Sequence, residues 1–202
     1  MSAASARRVV VATANRGKLA EIRSALDFGG WEFVTATDLG AEPLEVEETG
    51  DTFEANARLK ARAYHEAFGM PALADDSGLE VDALAGEPGV YSSRYAGEDA
   101  TDAENNVKLL GALAEVPTEM RTARFRSVIV FVDEDGSETV AVGACEGSIG
   151  YEARGVGGFG YDPLFQPAVT PGRTMAELEL AEKNAISHRG AALRALRERL
   201  SE

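Results

Sequence analysis

The sequence predicts an α/β fold built on a mixed β-sheet flanked by helices. Three observations carry that class. Short apolar, β-prone runs alternate with longer stretches of helical spacing along most of the chain. One pair of runs, 125–132 and 138–149, is joined only by the turn Asp133-Glu134-Asp135-Gly136, which makes an antiparallel hairpin. Finally, 202 residues with 45% hydrophobic side chains can bury a sizeable core, and no repeat, low-complexity tract or linker divides them. One large domain, or two lobes sharing a sheet, is the expectation.

Taken in order, Val9 to Ala12 reads as a short buried strand and Thr13 to Lys18 as a polar turn. A helix follows, with Leu19, Ile22, Ala25 and Leu26 on one face. Trp31 to Ala36 is a second strand. Residues 38–50 are an acidic loop carrying Glu42, Glu45, Glu47 and Glu48. Asp51, with Glu54 three residues on, predicts a capped helix start. That helix runs to about Phe68, with Phe53, Ala57, Ala61 and Tyr64 at core spacing. Ala72 to Ala74 predicts a strand that ends at Asp75-Asp76-Ser77-Gly78. Thr101-x-x-Glu104 opens a helix to about Ala114, and Thr174-x-x-Glu177 a short one. Gly150 to Asp162 is a glycine-rich loop, and Ala191 to Leu200 a final helix.

Composition narrows the function classes. A formal net charge of −14 lacks the basic footprint of a protein that holds nucleic-acid polymers or anionic membranes. It permits a small anion held by a few focused cations and a metal. The single cysteine, Cys145, excludes an internal disulfide or a multi-cysteine metal site and reads as a buried strand residue. Met1 to Arg8 has no apolar leader core, and Val9 to Ala12 is too short to span a bilayer. The expected compartment is reducing and cytoplasmic.

The chemistry concentrates in four islands. Side chains alternate along an extended chain, so Asp75 and Asp76 should face opposite sides, one entering a site and the other bracing it. Two like charges so close demand a cation, a proton or strong donors, and Mg²⁺ suits hard oxygen ligands. Thr13 to Lys18 joins a strand to a helix, where backbone N–H groups can face an anion; an ordinary βα turn is the alternative. Gly155 to Gly160 formally matches G-x-G-x-x-G, but Tyr161-Asp162-Pro163 follows instead of a helix, so a loop approaching a ligand is the better reading. Ser187-His188-Arg189 is either a recognition edge or an N-cap cluster. Ser77 lies outside G-x-S-x-G, and His65 reads as helix surface.

Six stretches, in order from about residue 9 to 200, resemble the inosine triphosphate pyrophosphatase family. They are Thr13 to Lys18; Glu48-Thr49-Gly50 with Asn56 and Lys60; Ala74 to Gly78; Pro88 to Tyr95; Gly157 to Pro163; and Glu182 to Arg189. Ala14 stands where the family commonly has glycine. The resemblance implies a single domain over 1–202: an elongated mixed sheet flanked by helices, with two lobes and an active-site cleft between them. It implies Mg²⁺-dependent hydrolysis of ITP, dITP and XTP to the monophosphate and pyrophosphate, in a homodimer. Asp76 is then the proton acceptor and, with Glu48, a metal ligand; Glu47 is the neighbouring fallback. Lys18 and Lys60 are catalytic cations. Thr13, Ala14, Asn15, Arg16, Gly17, Lys18 and Ser77 contact phosphates. Phe159, Gly160, Tyr161, Asp162, Lys183, His188 and Arg189 line the base and sugar pocket. Two rivals are a phosphatase acting on phosphomonoesters and a nucleotide-binding module without turnover. Adjacent rather than alternate aspartates disfavour the aspartate-nucleophile form of the first. Acids beside phosphates disfavour the second.

Overall fold

The computed structural model describes residues 6–25 and 30–201. Leu26 lies outside them, as does the side chain of Ala25. Among the described residues six strands form one sheet: β1 (Arg7–Val11), β2 (Trp31–Val34), β3 (Ala72–Val81), β4 (Thr122–Val132), β5 (Glu138–Ile149) and β6 (Phe165–Pro167). Their order is β2-β1-β3-β4-β5-β6. β1 runs parallel to β2 and β3, and every pairing from β3 to β6 is antiparallel. The mixed sheet is therefore as expected, parallel where helices cross over and antiparallel through the hairpin.

Among the described residues five α-helices accompany it: α1 (Arg16–Ala25), α2 (Phe53–Phe68), α3 (Asp102–Ala112), α4 (Leu180–Ile186) and α5 (His188–Arg199). Three apolar clusters make the core. α2 buries Ala57, Ala61 and Tyr64 against Val10, Ala72, Ala74 and Val130 on one face of the sheet. α1 and α5 bury Ile22, Leu193 and Leu196 against Val9, Leu73, Ile129 and Phe131 on the other. The third cluster joins Leu109 of α3 and Leu113, the residue that caps its C-terminus, to Leu79, Phe125, Cys145 and Phe165 at the far end of the long strands. Burial lifts the Cys145 thiol to about 11, so it stays protonated and inert. Among the described residues no helix is long and apolar enough to cross a membrane.

Four expectations need correction. Asp75 and Asp76 do not end a strand. β3 continues to Val81 because β4 pairs with it throughout, with Asp75 opposite Ile129 and Asp76 opposite Val128. What ends there is β1, whose pairing with β3 stops at Val11 and Leu73. Thr52, not Asp51, caps α2, its hydroxyl accepting from Ala55 N at 3.1 Å. α5 begins at His188 rather than Ala191, because Ser187 Oγ accepts from Gly190 N at 3.0 Å and fixes the start there. The helix expected after Thr174 is a single 3-10 turn, Met175–Glu177. His65 sits in the last turn of α2, half-buried, with Nδ1 2.9 Å from the Met70 carbonyl.

Candidate active site

Where β1 stops and β3 goes on, a cleft opens with about 830 Å³ between its walls, solvent mouth included. Ligands commonly bind where strand connections diverge in an α/β sheet. One end is lined by Asn15, Lys18, Glu48, Lys60 and Asp76, the other by Phe125, Phe159, Asp162, Lys183 and His188.

The pleat of β3 separates the two aspartates as expected. Asp75 turns to the α5 side and is fully buried. Its Oδ1 accepts from Ser127 Oγ at 2.5 Å, and its Oδ2 meets Lys18 Nζ and Arg189 Nη2, each at 3.0 Å. Burial alone would raise this carboxyl, but Arg189 and Lys18 overcome it and hold it well below the usual range. Asp76 turns to the α2 side, where Oδ1 meets Lys60 Nζ at 2.8 Å. Its Oδ2 is buried without a hydrogen-bond partner. Burial is the dominant influence here and lifts the Asp76 carboxyl against the pull of Lys60 and Lys18.

Lys60 also meets Glu48 Oε1 at 3.0 Å. The alternation of the extended loop decides between the two glutamates: Glu47 is exposed, whereas Glu48 faces inward with Leu44 and Val46. Asn56, one helical turn before Lys60, anchors the loop end by accepting from Gly50 N at 2.8 Å. Burial disfavours the charge on Lys60, yet Asp76 and Glu48 together raise its pKa.

The β1–α1 turn is fixed by its own side chains. Asn15 Oδ1 accepts from Lys18 N at 3.0 Å, and Thr13 Oγ1 accepts from Asn15 N at 3.1 Å. Thr13 and Ala14 line a recess continuous with the cleft through Asn15, Lys18, Glu48 and Lys60. Arg16 is exposed and is not among the lining residues. Gly17 lies under the Phe159 ring, where a Cβ would come within 2.5 Å of it, so only glycine allows that approach. Ser77 Oγ donates to Asp75 Oδ2 at 3.0 Å and accepts from Arg189 Nη2 at 2.8 Å.

At the other end Lys183 Nζ meets Asp162 Oδ2 at 2.5 Å and Glu21 Oε1 at 2.6 Å, and lies 4.8 Å from the Phe159 ring centre. Arg189 pairs with Glu21 Oε2 as well as Asp75, while its Nε is buried without a partner. His188 stacks on Phe125, with centroids 4.8 Å apart and planes at 17°. Its Nδ1 is buried without a partner. Burial, reinforced by the Arg189 charge, holds the imidazole well below its usual pKa, so it is neutral. The cap reading of the Ser187-His188-Arg189 island holds, because serine caps the helix; its two neighbours line the cleft.

The cleft therefore gathers nearly all the expected positions, and adds others. Glu21, Ser127, Phe125, Asp102 and Asn105 bear on it without having been singled out. Glu21 left a faint signal, a charge beside the buried Ile22 face of α1; Ser127 another, a hydroxyl inside an apolar run.

The residues present fit a hard divalent cation. Glu48 and the unpartnered oxygen of Asp76 are oxygen donors; Lys60 meets both residues, and Arg94 reaches Glu48 at 3.9 Å. Among the described residues no three carboxylate, imidazole or thiol side chains cluster as a self-sufficient metal site. Two carboxylates without a third protein ligand suit a hard cation that takes its remaining ligands from water or from another molecule.

A family model described as the Ham1 family matches residues 9–199. The chain belongs to the Ham1 family. A dITP/XTP pyrophosphatase of Haemophilus influenzae is 51% identical over 196 residues, covering 96% of this chain and 99% of the relative. One of Escherichia coli K12, with the same description, is 50% identical over 196 residues, covering 96% and 98%. A solved Ham1 protein from Coxiella burnetii superposes with a TM-score of 0.83 at 45% identity, covering 96% and 98%. The Mycobacterium abscessus nucleoside-triphosphatase / dITP/XTP pyrophosphatase gives 0.74 at 47% identity, covering 94% and 98%.

Proposed function

We propose that this Ham1-family chain is a nucleoside-triphosphate pyrophosphatase acting on dITP, XTP and ITP, releasing the monophosphate and pyrophosphate. The observation that carries the reading is the polarity of one cleft. Lysines and acids with an unpaired oxygen stand at one end. A flat aromatic and hydrogen-bonding groups with unspent capacity stand at the other. The names of relatives at about half identity over nearly the whole chain support it.

A triphosphate carries roughly four negative charges, so an acidic protein needs local cations to hold it. Lys18 and Lys60 supply them, with the N-terminus of α1 beside the phosphates. Mg²⁺, held by Glu48 and Asp76, would neutralise charge developing on the phosphate oxygens. Asp76 orients the attacking water with its free oxygen and takes the proton. Asp75 keeps Lys18 and Arg189 in place without meeting the substrate itself.

Base choice follows from donor arithmetic. An ammonium has three N–H bonds, and two carboxylates account for two on Lys183. The third can meet an acceptor beside the Phe159 ring, as can Arg189 Nε, which has no partner. Hypoxanthine and xanthine offer a 6-oxo oxygen there, whereas adenine offers a 6-amino donor and leaves the site unsatisfied. We place the activity in the cytoplasm of a homodimeric enzyme, where it would clear non-standard purines before polymerases use them. The test incubates the protein with dITP, XTP, ITP or ATP and Mg²⁺ and identifies the phosphate product. Pyrophosphate from the oxo-purines, abolished by EDTA, is expected. Orthophosphate, or equal turnover of ATP, would overturn the reading.

A further inference from the structure

α3 lies outside the catalytic groups, yet it grips the loop that carries Phe159. Gly160 N donates to Asp102 Oδ2 at 2.6 Å, and Asn106 Nδ2 donates to Gly160 O at 2.9 Å. Both polar groups of one residue's backbone are thus held by two side chains one helical turn apart. The grip is itself anchored. Thr101 and Glu104 form a capping box that fixes the first turn of α3, and Asp102 is the first residue of the helix. Asn105, between the two clamps, accepts from Ala96 N at 2.7 Å and donates to Ser93 O at 3.0 Å. Tyr161 OH donates to Ser92 O at 2.9 Å. On its far side the same loop rests on α1, the Phe159 ring against Gly17.

The residues Phe159 to Tyr161 therefore span the cleft mouth from α1 to α3, and the ring's position is set from both ends. We propose that Asp102 and Asn106 are positioning residues that hold the Gly160 backbone so that Phe159 stands ready as the platform for the purine. The proposal rests on the reading of this end as the base end. Its chemistry is preorganisation: a ring already in place costs the incoming base no ordering of the loop. The backbone N–H to carboxylate bond is charge-assisted, so losing it matters more than losing a neutral one.

The test uses Asp102→Ala, Asn106→Ala and the conservative Asp102→Asn, which keeps an acceptor oxygen at the same reach. Xanthosine monophosphate should bind about tenfold more weakly to each alanine variant. Pyrophosphate binding, which does not see the loop, should stay within about twofold. Asp102→Asn should restore most of the monophosphate affinity. For XTP the loss should fall on KM, with kcat little changed. Hydrogen exchange at the Gly160 amide reads the clamp directly and should accelerate in Asp102→Ala. In the wild type, xanthosine monophosphate should slow that exchange, a measurement that requires no variant. Faster Gly160 exchange with unchanged monophosphate affinity would overturn the proposal, as would a wild-type amide indifferent to the monophosphate. A wild type that releases no pyrophosphate from XTP would overturn the underlying function instead.

Discussion

The two ends of the cleft handle charge in opposite ways. At the end proposed to take the base the charged groups form a continuous, fully paired chain. Asp162, Lys183, Glu21, Arg189 and Asp75 alternate in sign, each pairs with the next, and all are buried. At the phosphate end the matching is incomplete. One lysine serves two carboxylates, Arg94 adds only a 3.9 Å contact to Glu48, and an Asp76 oxygen has no partner. A fully paired chain resists rearrangement, because opening it leaves an uncompensated buried charge. An incomplete one can exchange partners when a cation and phosphates arrive. The comparison teaches that the two ends keep different things in reserve: the proposed base end matches its charges and leaves only N–H and ring-nitrogen capacity unspent, whereas the proposed phosphate end leaves a carboxylate oxygen unmatched. The boundary falls between two adjacent residues, Asp75 and Asp76.

The largest effect should come from the unfinished end. Asp76→Asn keeps the shape but removes the charge that the proposed function assigns to taking the proton and ligating the metal. Turnover of XTP should fall by about 10²–10⁴-fold. Stability should not fall with it, because burial already disfavours the ionised carboxyl and Lys60 keeps Glu48. Steady-state pyrophosphate release and a melting curve on the same sample check both halves. A destabilised but active Asp76→Asn protein would reverse the assignment of the two aspartates.

Asp75→Asn should break the other end first. It takes a carboxylate from both Lys18 and Arg189, the second almost wholly buried and left with Glu21, and interrupting a buried ion network costs about 3–5 kcal/mol. In a chain of this length that is a fall of about 10 °C in melting temperature. The pH dependence sharpens it. The folded Asp75 is held well below the ordinary carboxylate pKa, so its contribution is complete above about pH 4 and is lost as acid titrates it below that range. Urea unfolding at pH 7 and near pH 3 should show the gap between variant and wild type wide at the first and narrowed at the second.

What could be read from the sequence follows the same division. Signals carried by neighbours in sequence were legible. The hairpin at 125–149, the Thr101 capping box, the buried face of α2 and the opposed directions of Asp75 and Asp76 each need only a few adjacent residues. The resemblance then placed most of the cleft. The length of β3 was not legible, since it depends on β4, about fifty residues away. Nor were Glu21 and Ser127. Each looks like an ordinary polar residue until the fold brings Arg189 or Asp75 against it. Thr52 displaced Asp51 as cap because two good capping residues stand side by side and only the chain's path chooses between them.

The smallest predicted effect tests whether His188 belongs to the rigid end as a neutral ring. Burial and Arg189 hold its folded pKa well below the unfolded value. Between those values the unfolded chain binds a proton that the folded one refuses. The stability contributed is therefore complete above about pH 6.5 and is lost as pH falls beneath it, by up to ~1.4 kcal/mol per pH unit. His188→Phe keeps an aromatic against Phe125 and cannot titrate, so the decline between pH 7 and pH 5.5 should flatten. The same change deletes a ring nitrogen that has no protein partner. If that nitrogen serves the base, the preference for ITP over ATP should shrink by about one decade, with ITP turnover bearing the loss. Stability curves and kcat/KM for both triphosphates separate the two roles. A flattened curve with unchanged base preference would leave His188 as packing alone and move recognition to Lys183 and Arg189.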